Sequence, residues 1–286
     1  MRLVTVNTGQ GPRACGLFEG VYVDLNASDP SLPASLRALL ALGPHGLERA
    51  RAAVELKTVT HDPKSAELLA PIPDPPKIVC LGLNYRDHAV ETGAAIPEEP
   101  ILFSKYPSAV IGHGAQILLP AVSAEVDYEA ELVVVVGRGG KKIPRERAFE
   151  HVAGYTIGHD VSARDWQLRK PGKQWMVGKT FDTFAPMGPE LVTRDEVPDP
   201  HNLGIRLRLN GSTMQDSRTN QLIFRVDEVI AYLSQVFTLE TGDLIFTGTP
   251  PGVGMARKPP VWLKPGDLVE VEIDGLGILR NPVARE

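Results

Sequence analysis

Twelve consecutive residues, EVDYEAELVVVV at positions 125 to 136, constrain this 286-residue chain more than any other stretch. Valine favours the pleated strand, and the run reads as a strand heading into a core. Alternation along a strand puts Glu125, Asp127, Glu129 and Glu131 on one face, which Val133 and Val135 continue. Residues two apart on a strand lie roughly 7 Å apart, so carboxylates at 129 and 131 can converge on one small object. Like charges beside a low-dielectric core repel, and desolvation adds several kcal/mol per ion unless something positive compensates. A hard divalent cation such as magnesium, which takes oxygen ligands and keeps places for a substrate, relieves both. The competing reading is an edge strand whose acidic face lies in water. Glu125 and Asp127, nearest the strand start, suit that wetter setting better than the pair running into the valines.

Charge and cysteine content narrow the surroundings. Thirty basic against thirty-five acidic residues leave a net charge of −5 with no long block of one sign, which argues against nucleic acid as a partner. Cys15 and Cys80 are too few for a disulfide framework or a cysteine metal site. The start MRLVTVNTGQ lacks the basic-then-apolar pattern of a signal segment, and no apolar run reaches membrane-spanning length. The expectation is a soluble cytoplasmic protein.

The proline cluster at 71–76 divides the chain, because proline fixes φ, removes donors and restricts its predecessor. Residues 1–70 read as a small N-terminal α/β domain, with strands MRLVTV and GVYVDL and helical residues from Ser31 to Leu56 broken around Gly43-Pro44. Residues 77–286 read as a larger domain of short β runs separated by turns such as Asn210-Gly211 and Asp274-Gly275. One helix interrupts them, where Val226, Val229, Ile230, Leu233, Val236 and Phe237 recur at helical spacing. The fold class expected is α+β and β-rich.

Other stretches supply partners for the acidic pair. In YTIGHDVSARDWQ, Asp160 ends an apolar β run, as a third metal oxygen or as a turn residue, and His159 beside it reads as structural. In LNYRDHAVETG, Asn84 can cap a short helix that Gly93 ends. His88 and Glu91 then share a face, where the carboxylate can orient the imidazole as a general base requires. Lys179 lies in an apolar setting in MVGKTFDTF, either to stabilise an oxyanion or to extend into solvent. FTGTPPGVG follows a strand and could offer amides and the Thr249 hydroxyl to a carboxylate, or be a plain turn. It is no P-loop, since GxxxxGK[ST] is absent and two prolines remove amides.

In order along the chain, GLNYRDHAVETG, EVDYEAELVVVVG, GYTIGHDVSARDWQ, GKTFDTFAPMGP and GDLIFTGTPPGVG resemble the motifs of the fumarylacetoacetate hydrolase family. The chain is most similar to its type 2 domain-containing branch, through GKQWMVGKTFDTFAPMGP, DPHNL and RKPPVWLKPGD. The resemblance implies a mixed β-roll that forms a homodimer, preceded by a small variable domain. It implies that Glu129, Glu131 and Asp160 bind Mg²⁺, with Mn²⁺ or Ca²⁺ as alternatives, and that His88 and Glu91 form an acid/base dyad. Lys179 would approach the substrate oxygens, Gly248 and Thr249 would hold a carboxylate, and Arg164 and Gln167 would contact substrate. The founding hydrolase carries a further acid upstream of its histidine. No acid lies in CLGLNY, so that enzyme's own substrate is not carried over. The function implied is a metal-dependent reaction on a small 2-oxo, acylpyruvate-type acid through a stabilised enolate, with C–C hydrolysis placed first. Oxaloacetate keto–enol tautomerisation or decarboxylation is the alternative, and an inactive metal- or carboxylate-binding protein is the alternative of another class.

Overall fold

The valine run lies at the centre of the molecule. In the computed structural model, which describes residues 1–286, the strand Ala130–Val136 is buried along its whole length. It pairs antiparallel with Val152–His159 on one edge and with Leu244–Phe246 on the other. With both edges covered, its side chains enter two separate apolar cores. Leu132, Val134 and Val136 join the larger, and Val133 and Val135 the smaller. Burial on both faces is why the sequence shows unbroken valines instead of alternation.

This strand belongs to a twelve-stranded mixed sheet. From the Ala130–Val136 strand the sheet continues one way through Leu244–Phe246 and Ile78–Gly82 to the edge strand Ile101–Lys105. The other way it passes Val152–His159 and Ala185–Thr193 to Arg2–Thr8, Gly11–Phe18 and Val21–Asp24. Segments on the two sides of the proline cluster therefore meet in one sheet, with Leu3 opposite Leu191. The Thr5 hydroxyl donates to the carbonyl of Pro71 at 2.8 Å.

A five-stranded sheet, including Gly204–Leu209, Ser212–Arg218, Leu268–Ile273 and Gly277–Arg285, contributes Ile205, Leu207, Val269 and Val271 to the larger core. The helix Val226–Val236 adds Val226, Val229, Ile230 and Leu233 as its spacing predicts, whereas Val236 of the same set is exposed and Phe237 caps the end, half-buried against the core. The smaller core is closed by the helices Leu36–Ala41 and Gly43–Leu56, separated where Gly43-Pro44 suggests. The β-rich α+β class is the one expected.

Besides several strands of two or three residues, three longer ones escape the sequence pattern. Gly11–Phe18 contains Gly11, Pro12 and Gly16, and Ser212–Arg218 is polar because its outer edge is unpaired. Ala185–Thr193 carries Pro186, Gly188 and Pro189, residues that argue against a central strand. The sheet accommodates them by an irregularity, since the partners of Tyr155 and Ile157 jump from Val192 to Gly188.

Gly158 lies opposite Glu131. A Cβ there would come within 2.6 Å of Phe246 Cε1 and closer still to Val133 Cγ2. Gly158→Ala is expected to cost about 1–3 kcal/mol through overpacking, read as a lower urea midpoint; an unchanged midpoint would show that the sheet centre yields.

Candidate active site

Strand directions bring the functional segments to one end of the large sheet. Because Ala130–Val136 runs antiparallel to both neighbours, its start lies beside the ends of Val152–His159 and Leu244–Phe246. Ile78–Gly82 runs parallel to Leu244–Phe246 and also ends there. Glu129 and Glu131, then Asp160, then the 247–254 loop, then the helix Arg86–Thr92 follow from these four strand ends.

Glu129, Glu131 and Asp160 are buried, with one oxygen of each within 4.8 Å of the others. The Asp160 amide donates to the Glu129 carbonyl at 2.9 Å, which fixes the spacing of the two segments. Lys179 Nζ spans two of the acids, donating to Glu129 Oε2 at 2.7 Å and Asp160 Oδ2 at 2.8 Å. Burial opposes charge on Glu129, yet Lys179 and Arg164 hold its carboxyl well below the usual range. Burial, with Asp160 and Glu129 beside it, pushes Glu131 well above that range. Its one partner is the Gly248 amide, which donates to Oε2 at 2.7 Å from a residue at φ +97°.

Arg164 and Gln167 enter the same cluster. Arg164 donates from Nη2 to Glu129 Oε1 at 2.5 Å, from Nη1 to Gln167 Oε1 at 2.9 Å, and from Nε to Asp127 Oδ2 at 2.8 Å. Asp127 therefore does not occupy the wet approach expected for it: it is fully buried and also accepts from the Gly254 and Met255 amides. The strand breaks at Tyr128 and Glu129, so strict alternation does not carry through to 127. Glu125 is half-buried, paired at 2.7 Å with the exposed Arg169.

His88 Nδ1 and Glu91 Oε2 are 2.9 Å apart on the helix Arg86–Thr92, and Glu91 Oε1 accepts from the Gly252 amide at 2.8 Å. Gly93 closes the helix at φ +66° as expected, but Asn84 does not cap it. The Asn84 side chain instead donates to the Thr247 carbonyl at 2.8 Å and accepts from the Phe224 amide at 2.8 Å, tying the helix start to two loops. A cavity of about 260 Å³ separates His88 from the acid cluster, of which Glu129 reaches its wall. His88, Glu129, Arg164, Gln167, Lys179 and Thr249 line its polar side. Leu83, Ala94, Leu168 and Trp175 line the other. A more open groove of about 790 Å³, behind Phe103 and Trp175, has no converging acids.

Residues 77–284 match the family model for the C-terminal domain of fumarylacetoacetate (FAA) hydrolase. The chain belongs to the fumarylacetoacetate hydrolase family. It is 50% identical over 287 residues to the mitochondrial oxaloacetate tautomerase fahd2 of Xenopus laevis, covering 99% of this chain and 90% of that protein. Among solved structures it is similar to a fumarylacetoacetate hydrolase from Exiguobacterium antarcticum, with 34% identity, a TM-score of 0.86 and both chains covered in full. It is also similar to a 5-carboxymethyl-2-hydroxymuconate delta-isomerase from Mycobacterium smegmatis, with 36% identity, a TM-score of 0.79, and 100% and 99% of the two chains covered. The protein is thus an enzyme of a family that contains hydrolases and isomerases. The Xenopus name places that relative in the mitochondrion, away from the cytoplasmic expectation. No helix here is long and apolar enough to cross a membrane.

The donors present in this family member fit a divalent cation. Four buried carboxylates, Asp127, Glu129, Glu131 and Asp160, face three buried cations, Lys105, Arg164 and Lys179. The unmatched charge falls on Glu131, which no lysine or arginine touches. An all-oxygen donor set of this kind could hold a hard metal ion. Sequence reasoning missed Lys105, whose ammonium lies 2.6 Å from Asp160 Oδ1 and donates to the carbonyls of Val161, Lys179 and Phe184. A lysine ending the apolar run ILFSK was the available signal. Gln215 was also missed; its amide donates to Thr249 Oγ1 and its oxygen accepts from the Ala130 amide, each at 2.8 Å. His159 is buried and its imidazole is pushed down to about 3 by desolvation and then by Lys105, so it stays neutral.

Glu131→Gln is expected to leave the cation-free protein no less stable, since it removes an acid already disfavoured there. It should abolish stabilisation by Mg²⁺ in thermal unfolding, and a retained Mg²⁺ shift would remove Glu131 from the ligand set.

Proposed function

We propose that this enzyme interconverts the keto and enol forms of a small 2-oxo dicarboxylic acid, with oxaloacetate the substrate to test first. The observation that carries the proposal is the His88–Glu91 pair facing an acid cluster across a cavity sized for a small acid. In the neutral tautomer that donates from Nδ1 to Glu91, His88 presents a lone pair on Nε2 that takes a proton from carbon 3. A proton is returned to the oxygen, so no carbon–carbon bond breaks and no water is consumed. The half-identical Xenopus tautomerase, covering nearly the whole chain, supports the same reading.

Each further group has a part in holding the substrate. Two of the three Lys179 N–H bonds are used by Glu129 and Asp160, and the third is free for the 2-oxo oxygen. The Thr249 oxygen accepts from Gln215, which leaves its own hydrogen for a substrate carboxylate. Arg164 and Gln167 serve the far end. Mg²⁺ or Mn²⁺ held by Glu129, Glu131 and Asp160 would supply a Lewis acid for negative charge on the 2-oxo oxygen. With all four acids ionised, a bound dication would leave the cluster one positive charge in excess, which a substrate carboxylate would offset. Assembly as a homodimer belongs to the same proposal.

C–C hydrolysis, placed first from the sequence, uses the same electron sink with water activated at His88, and the Exiguobacterium hydrolase favours it. The two are separated by presenting the Mg²⁺-loaded enzyme with enol oxaloacetate and with acetylpyruvate, and following tautomerisation, CO₂ and cleavage by NMR. Tautomerisation should dominate; faster cleavage of acetylpyruvate would replace this reading with hydrolysis.

His88→Asn should lower the tautomerisation kcat by about 10²–10⁴-fold, the range of a lost general base. The Mg²⁺-dependent rise in Tm should persist, because His88 touches none of the three acids. Full activity in this variant would place the base elsewhere.

A further inference from the structure

Asp127 takes no part in the acidic triad and does not line the cavity, yet its carboxylate is fully buried. An ionised carboxylate away from water is destabilising by several kcal/mol unless donors offset the loss. Here four do. Oδ1 accepts from the Tyr128 amide at 2.8 Å and the Gly254 amide at 2.6 Å. Oδ2 accepts from Arg164 Nε at 2.8 Å and the Met255 amide at 3.1 Å. Apart from its own neighbour, these donors come from two distant segments.

Both segments continue into the catalytic groups. Arg164 goes on to Glu129 and Gln167. Two residues before Gly254 stands Gly252, whose amide holds Glu91, which in turn holds His88. The loop has little freedom to absorb a shift at 254: Gly252 lies at φ +103°, and a Cβ there would collide with the Met214 carbonyl. We infer that Asp127 is a positioning residue that fixes two arms of the site at once, the Arg164 arm against the acids and the Gly252–Glu91 arm that orients His88. The inference rests on the acid/base role proposed above for His88, and it adds the element that sets that dyad's place relative to the acids.

Asp127→Asn tests it at constant shape. Asparagine offers one oxygen and one NH₂ where two oxygens accept now, so one arm must face a donor and move. Cooperative unfolding and the Mg²⁺-dependent rise in Tm should be retained, since Asp127 is not in the triad. The kcat/KM with oxaloacetate should fall by roughly 10²-fold, the scale of a small misplacement of reacting groups. The ¹⁵N–¹H signal of His88 Nδ1 should leave its hydrogen-bonded position. A folded Asp127→Asn with the wild-type His88 signal and wild-type kcat/KM would overturn the inference. If wild-type enzyme shows no tautomerisation, the functional proposal fails alone, and the His88 signal still decides the role of Asp127. Should the single variant fail to fold, Asp127→Asn with Arg164→Gln removes both charges and is compared with Arg164→Gln alone. The double variant should shift the His88 signal and the single one should not; identical signals in the two would overturn the inference.

Discussion

Unmatched buried charge at the end of one strand governs the rest of this structure. The strand Ala130–Val136 carries nothing but apolar side chains after Glu131, and it is sealed on both faces and both edges. Acids at its start cannot retreat into water. Lys105, Arg164 and Lys179 are drawn in from three other segments to face them, each itself buried. Such clusters destabilise the empty protein relative to an apolar equivalent. The arrangement makes sense as a place that a cation and an anionic substrate complete.

The same constraint explains the topology around the site. Antiparallel neighbours bring Asp160 and the 247–254 loop to the acid end, and a parallel strand brings the His88 helix there. Groups separated by more than a hundred residues in the chain thus share a few ångströms. The Gly248 amide on Glu131 and the Gly252 amide on Glu91 make one loop serve both the acids and the dyad. Asn84 ties the base of the same loop to the start of the helix.

Much of this was legible in the sequence where local pattern and tertiary role agree. The valine run, the 226–236 helix, the broken 36–56 helices and the pairing of His88 with Glu91 follow from spacing alone. Ala185–Thr193 was not legible, because its prolines and Gly188 speak against a strand and only the sheet on either side makes it one. Asp127 was misplaced because alternation was extended through Tyr128 and Glu129, where the strand is interrupted. Asn84 looked like a cap because asparagine often is one, whereas loops 140 and 163 residues away claim its side chain. Lys105 and Gln215 were missed for a related reason: their partners, main-chain groups together with Asp160 and Thr249, are brought close only by the fold.

The cavity wall is made of two kinds of residue. Leu81, Ile101 and Phe103 belong to strands of the large sheet, and Glu129 sits beside the start of its central strand. Leu83, Ala94, Leu168 and Trp175 come from connecting segments and short helices. The first set is fixed by the sheet, whereas apolar residues of the second can change size with less penalty to it. Evolution can therefore resize the chamber from those segments, in keeping with one scaffold serving relatives named tautomerase, isomerase and hydrolase.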